Sequence, residues 1–341
     1  ALMLAAKAAE RGLVLDLSGH PAFDELAALD GFESVSARML ANAEPLGAGA
    51  AMIEFPESGL LPEAIAFDRK GTLYIGGVRN GAIMKERRDG ENLAPVTTAS
   101  GGVFDLEIRG RKVWAAVNNR LAYKDADAAA PFAAIMIFDA KTGDTLSDIR
   151  ICEDSAMLGD LEVAKDGTAY ASDSLTPRIY RLGPGGGAPK LFAEDPRFVN
   201  LQGIALDEKN RRLFVADYLA GLFIVDVETG AVSHIDNQAD AHLGGIDGLY
   251  YHDDALIGIQ NGTSPQRVVR IALDGAGAAV SLEVLHQNLD GWNEPTHGAM
   301  LGKTFHYIAT SNWPSYGDDG ALKDEPAPKP LRIMSLPLHT D

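Results

Sequence analysis

Two carboxylates and a histidine, Glu63, Asp247 and His297, occupy the same place in three copies of a recurring strand unit. A histidine there can act as general acid or base, because its ordinary pKa lies near neutrality, and a carboxylate can activate water in the same way. In the other three copies that place is filled by Phe104, by the pair Gly159-Asp160 and by Gln202. Phe104 offers an apolar wall, so a shared pocket would favour a substrate with an apolar portion. Asn118, Asn261 and Trp313 follow the second strands of their units and are expected near the rim, where turn formation or packing would explain them equally well.

Other chemistries find less support. No Gly-x-Ser-x-Gly elbow is present, and Cys152 ends the strand-like run Ile149-Arg150-Ile151-Cys152 without a partner suited to nucleophilic catalysis. With one cysteine there is neither an intramolecular disulfide nor a cysteine-rich zinc site. The run Pro184-Gly185-Gly186-Gly187 does not lead from a strand into a helix, so it reads as a turn and not as a phosphate loop.

The elements that would position these residues are short β-strands in register with a repeat. First strands begin at Glu63, Phe104, Gly159, Gln202, Asp247 and His297, spaced by 41, 55, 43, 45 and 50 residues. Tyr74, Trp114, Tyr170, Phe214, Ile257 and Tyr307 mark the second strands, 10 to 12 residues after each start. Hairpin turns such as Asp68-Arg69-Lys70-Gly71 connect them, and further strands complete each unit as a small antiparallel sheet. Six such sheets predict an all-β, six-bladed propeller, which shields sheet edges without disulfides.

The sixth unit is short of strands, and residues 50–55 are expected to join it and close the ring. The propeller would span 48–341 as one domain. Residues 1–47 form a helical extension, with Pro21 opening one helix, Gly31 ending it and a second stretch over 32–45. It is expected as a cap on one face or edge, with a lid over the site as the alternative. Segment 315–330, rich in Pro, Gly and charge, reads as an exposed loop in the last blade.

Composition bounds the partners. A net charge of −18 with scattered acids disfavours nucleic acid and anionic membranes, leaving a small molecule as the expected partner and making a bound divalent cation reasonable. Mean hydropathy near zero, with no uninterrupted apolar run of about 18 residues, predicts a soluble protein. Two compartments are open: the periplasm after removal of a signal peptide, or the cytoplasm. Oligomeric state is not legible in the sequence.

The strings at 61–77, 161–174, 201–218 and 245–262 resemble successive blades of the SMP-30/gluconolactonase group, related to the paraoxonases, and the similarity spans about residues 55 to 338. The resemblance implies that the opening residues face a central channel and that Glu63, Gln202 and Asp247 hold a divalent metal, with Ca²⁺ favoured by oxygen ligands. Gln202 stands where the group has Asn. Gly159-Asp160 replaces Asn-Asp and removes one side-chain ligand.

The implied activity is metal-dependent hydrolysis of a lactone or ester-like bond, with Asp247, His297 and Glu63 as catalytic candidates. Phe104, Asn118, Asp160, Asn261 and Trp313 are candidates for contacting substrate. Two alternatives stay open. One is a metal-free enzyme resembling strictosidine-synthase-like propellers, which form carbon–carbon bonds; the other is a ligand-binding propeller without catalysis.

Overall fold

The computed structural model describes every residue except 18–20, 48–49, 57–58, 89, 91, 128–129, 152–154 and 339–341, so the reading of Cys152 lies outside the described residues. Among the described residues, 24 strands form six four-stranded antiparallel sheets. The sheets stand as blades around a central channel to which every innermost strand contributes.

The innermost strands are Pro62–Phe67, Gly102–Arg109, Leu158–Val163, Leu201–Asp207, Leu249–His252 and Gly298–Leu301, each starting within two residues of the predicted place. The second strands Leu73–Gly77, Ala169–Asp173 and Ala255–Gln260 are buried along their whole length. A neighbouring blade covers each of their faces, which removes the apolar–polar alternation of a half-exposed strand. The six second-strand markers are all buried. Removing one such ring, as in Phe214→Ala, would cost about 3–5 kcal/mol.

The ring closes as expected: Ala50–Phe55 is the outermost strand of the sixth blade, with Ile53 opposite Ile333 and Phe55 opposite Leu331. The tight hairpins follow from side chains that mimic backbone acceptors. In the first blade Asp68 Oδ1 accepts from the backbone N–H groups of Lys70 and Thr72, at 2.8 and 2.9 Å.

The extension is less regular than expected. Its helices are α1 (Leu2–Glu10), α2 (Pro21–Asp24) and α3 (Phe32–Asn42). Only one turn follows Pro21, and Gly31, with φ of +88°, caps the start of α3 instead of ending a long helix. The extension docks on the edge of the fifth blade and on the loop after that blade's second strand. Val14 N–H donates to Ser264 O (2.6 Å), buried Arg267 donates to Arg11 O (3.2 Å), Arg11 pairs with Asp240, and Gln287 donates to Asn42 O and Glu44 O. No helix among the described residues is long and apolar enough to cross a membrane.

Segment 315–330 is not wholly exposed. Ser315 and Tyr316 are buried, Ala122 N–H donates to Asp318 O (2.7 Å), and Arg79 donates to Gly320 O (3.0 Å). Its first half is therefore a wall leaning on the loops of the first two blades.

Candidate functional site

The opening residues are aimed inward by irregularities in strand pairing. Register shifts fall between Pro62 and Ala64, Val103 and Asp105, Leu158 and Leu161, and Leu201 and Ile204. Glu63, Phe104, Gly159 and Gln202 sit inside these bulges, where an extra residue re-aims a side chain away from the sheet. Asp247 and His297 directly precede the regular parts of their strands. Gly203 lets neighbouring blades approach: a Cβ there would stand 2.5 Å from both Asp247 O and Leu249 N.

All six opening residues line one cavity of about 250 Å³ at the channel mouth. Asn261 and Trp313 line it too, joined by Leu121, Met157, Ser174, Tyr218 and Glu294. Asn261 Nδ2 donates to Asp247 Oδ2 at 2.6 Å, and its Oδ1 accepts from Tyr218 OH at 2.9 Å. Trp313 Nε1 donates to Glu63 Oε2 at 2.6 Å. His297 Nδ1 lies 3.5 Å from Glu63 Oε1, an ionic contact too long for a well-formed hydrogen bond. Both ring nitrogens of His297 are buried without a hydrogen-bond partner.

These contacts shift the titrations. Burial pushes Asp247 up to about 6, with Glu63 adding to the shift and His297 and Asn261 opposing it. For His297 burial favours the neutral ring, but Glu63, Asp247 and Asp160 outweigh it, and its pKa is pushed up to about 9. Burial, then Glu63 and Asp247, push Glu294 up to about 7.

Two candidate substrate contacts are not among the residues that line the mouth cavity. Asn118 does not reach the mouth: it is fully buried, its Nδ2 donates to Leu158 O and its Oδ1 accepts from Leu158 N–H, both at 2.8 Å. It is the last residue of Lys112–Asn118, one position short of the rim, and it ties the second blade to the third. Asp160 lies below the mouth, in the channel. Its Oδ1 accepts from Leu161 N–H (2.7 Å) and its Oδ2 from Ile204 N–H (2.9 Å), so it satisfies the edge of the next blade's inner strand.

Asp105 repeats the arrangement one blade earlier, accepting from Leu161 N–H at 2.9 Å, and burial beside Asp160 holds its carboxyl well above the usual range. Glu107 and Glu162, two residues further along these strands, carry the acidic lining toward the far end and contact Arg109.

Ser174 and Tyr218 were missed in the sequence, although each is the first residue after its blade's second strand, as Asn261 is. Glu294, Leu121 and Met157 come from connections outside the repeat and had no such signal.

The mouth residues fit a cation. One donor atom each from Glu63, Asp247 and His297 lies within 4.8 Å of the others, and the orphaned ring nitrogens of His297 supply an unused donor. Gln202 adds a carbonyl oxygen to the lining. Carboxylate and amide oxygens suit Ca²⁺ or Mg²⁺, while the imidazole also suits borderline transition metals.

No family model matches the chain, and no curated protein matches it by sequence. Solved structures do match over most of its length. A calcium-binding protein, regucalcin, from Agrobacterium tumefaciens superposes with a TM-score of 0.60 at 14% identity, covering 85% of this chain and 93% of its own. A gluconolactonase from Xanthomonas campestris gives 0.58 at 15% identity, covering 87% and 93%. A luciferin-regenerating enzyme gives 0.58 at 13%, covering 86% and 95%. The resemblance read from the blade strings is thus borne out at the level of the fold.

Proposed function

We propose that the protein is a cation-dependent hydrolase of a lactone or ester-like small molecule, working at the channel mouth. The observation that carries this reading is the convergence of Glu63, Asp247 and His297 from three blades, with donor atoms within 4.8 Å. The fold shared with a gluconolactonase and a calcium-binding regucalcin supports it. Glu63, Gln202 and Asp247 would hold the cation, with Ca²⁺ favoured by their oxygens. When bound, it would polarise the substrate carbonyl and stabilise the charge developing on its oxygen.

The chain's own residues supply the rest. Trp313 fixes Glu63, and Asn261 holds Asp247 by Oδ2, leaving Oδ1 without a hydrogen bond among the described residues. Asp247 Oδ1 is then available as a ligand or as a nucleophile toward the carbonyl carbon. His297 gives a proton to the leaving oxygen, or takes one from an attacking water. Phe104 and Trp313 supply an apolar wall.

The test is metal content by plasma mass spectrometry on protein purified without added metal, beside a Glu63→Gln, Asp247→Asn double variant. Near-stoichiometric metal that disappears in the variant supports the reading and directs a lactone and ester screen. An empty protein even after Ca²⁺ is added back would overturn it.

That outcome would favour a second reading, a metal-free acid–base enzyme forming a carbon–carbon bond. The contact between His297 and Glu63 favours it, since an imidazolium supplies positive charge where a metal otherwise would.

A further inference from the structure

The mouth is mixed in character. Phe104 and Trp313 stand with ring centroids 6.3 Å apart, joined by Leu121 and Met157. The same lining carries three carboxyl groups, Glu63, Asp247 and Glu294. Two of these are already engaged. Glu63 accepts from Trp313 and contacts His297, and Asp247 accepts from Asn261.

Glu294 stands apart. It is outside the group whose donor atoms lie within 4.8 Å of one another, and among the described residues its carboxylate makes no hydrogen bond or ion pair. Its backbone is fixed all the same. With φ of +58° it lies in the left-handed region, and its carbonyl accepts from Ser311 N–H at 3.4 Å while Asn293 N–H donates to Ala309 O at 2.8 Å. A non-glycine residue held there costs energy that the surrounding structure must offset, as at many ligand-contacting positions.

Among the described residues no cationic side chain forms an ion pair with this carboxylate. His297 faces Glu63, and the one lysine near enough to influence Glu294, Lys323, donates to Pro314 O. The orphaned, buried nitrogens of His297 in the same cavity independently mark it as built for a ligand.

We propose that Glu294 is a specificity determinant selecting an amphipathic amine, its ammonium group on the Glu294 carboxylate and its apolar part along Phe104, Leu121, Met157 and Trp313. At Glu294, which lies outside the proposed cation site, an anion would meet a like charge, whereas an ammonium gains a charge-assisted hydrogen bond in a partly dry site. The inference adds a substrate class to the hydrolase reading and rests on it only for turnover.

The test separates binding from turnover. Titration calorimetry of the full-length protein with hexylammonium, hexanol and hexanoate compares one chain with three charges, in the wild type and in Glu294→Gln. Hexylammonium should bind about tenfold more tightly than hexanol, with hexanoate weakest, and the variant should erase the advantage of the ammonium. Equal affinity for the three probes, or an ammonium preference that survives in a folded Glu294→Gln, would overturn the inference. The series on the wild type decides even if the variant does not fold.

The para-nitrophenyl esters of hexanoic and aminohexanoic acid give the matching turnover experiment. No hydrolysis of either ester with the charge preference intact would sink the hydrolase reading and leave this inference standing. Hydrolysis without the preference would do the reverse.

Discussion

The side-chain carbonyl of Gln202 stands 3.2 Å from the point where a Cβ on Gly159 would sit. The two positions therefore work as a pair: the longer amide arm of one blade reaches into volume that the neighbouring blade leaves open. In the proposed cation site Gln202 would partly make up for the side-chain ligand that Gly159 lacks. Gly159→Asn alone should crowd Gln202 and weaken cation binding by about tenfold, roughly 1.4 kcal/mol. The double variant Gly159→Asn, Gln202→Asn should recover most of that loss by restoring one amide at each place. Calorimetric titration with Ca²⁺ measures both, and equal affinities in the wild type and the single variant would show that the positions are independent.

Asn118 yields a prediction of the opposite kind, about stability alone. Its side chain makes two hydrogen bonds of 2.8 Å to the backbone of Leu158 in the next blade. Asn118→Ala would orphan a buried donor and a buried acceptor, at a cost of about 2–4 kcal/mol. Ligand affinity of the folded fraction should not change. Urea unfolding beside a ligand titration reads both, and an intact stability with lost affinity would return Asn118 to the mouth.

The blades were legible because each needs the same pattern: a turn, an inner strand and a buried second strand carrying a large side chain. The inward aim of Glu63 and Gln202 was legible for the same reason, since the bulges recur in four blades, and Asp247 and His297 hold the matching place just before their inner strands. The fate of Asp160 was not. Whether a carboxylate beside the mouth meets a ligand or caps Ile204 N–H depends on how closely neighbouring blades approach, which Gly203 permits and no local pattern records. Glu294 was hidden differently, because it sits on a connection outside the repeat. Position by analogy with other blades could not reach it.

Trp313 has two jobs that a conservative substitution separates. Its indole N–H donates to Glu63 at 2.6 Å, while its ring packs beside Phe104, 6.3 Å between centroids. Trp313→Phe keeps the apolar wall and removes the donor, leaving Glu63 without its closest hydrogen bond. A hydrogen bond to a charged group is worth about 1.5–3 kcal/mol, so Glu63-dependent cation binding should shift by at least about tenfold in either direction, with little change in thermal stability. Trp313→Ala should in addition weaken binding of alkyl probes. If Trp313→Phe behaves as wild type toward both cation and alkyl ligands, the Trp313–Glu63 contact has no part in organising the site.

The far end of the channel predicts how stability depends on pH. Burial pushes Glu107 up to about 7, opposed by Arg109, 2.7 Å away, and reinforced by Asp160. A carboxyl raised in the folded state binds its proton more tightly there than in the unfolded chain. Its contribution to stability is therefore complete below the ordinary carboxyl range and is lost as pH rises through about 7. Glu162, raised by burial and by Glu107, acts in the same sense. Glu107→Gln removes one titrating group from this lining while keeping its shape. The loss of stability between pH 5 and pH 8 should shrink by on the order of 2 kcal/mol, Arg109 and channel water offsetting part of the full effect. Melting temperatures of both proteins across that interval decide the matter: parallel curves would mean that Glu107 is already ionised in the folded protein at the acidic end of the range.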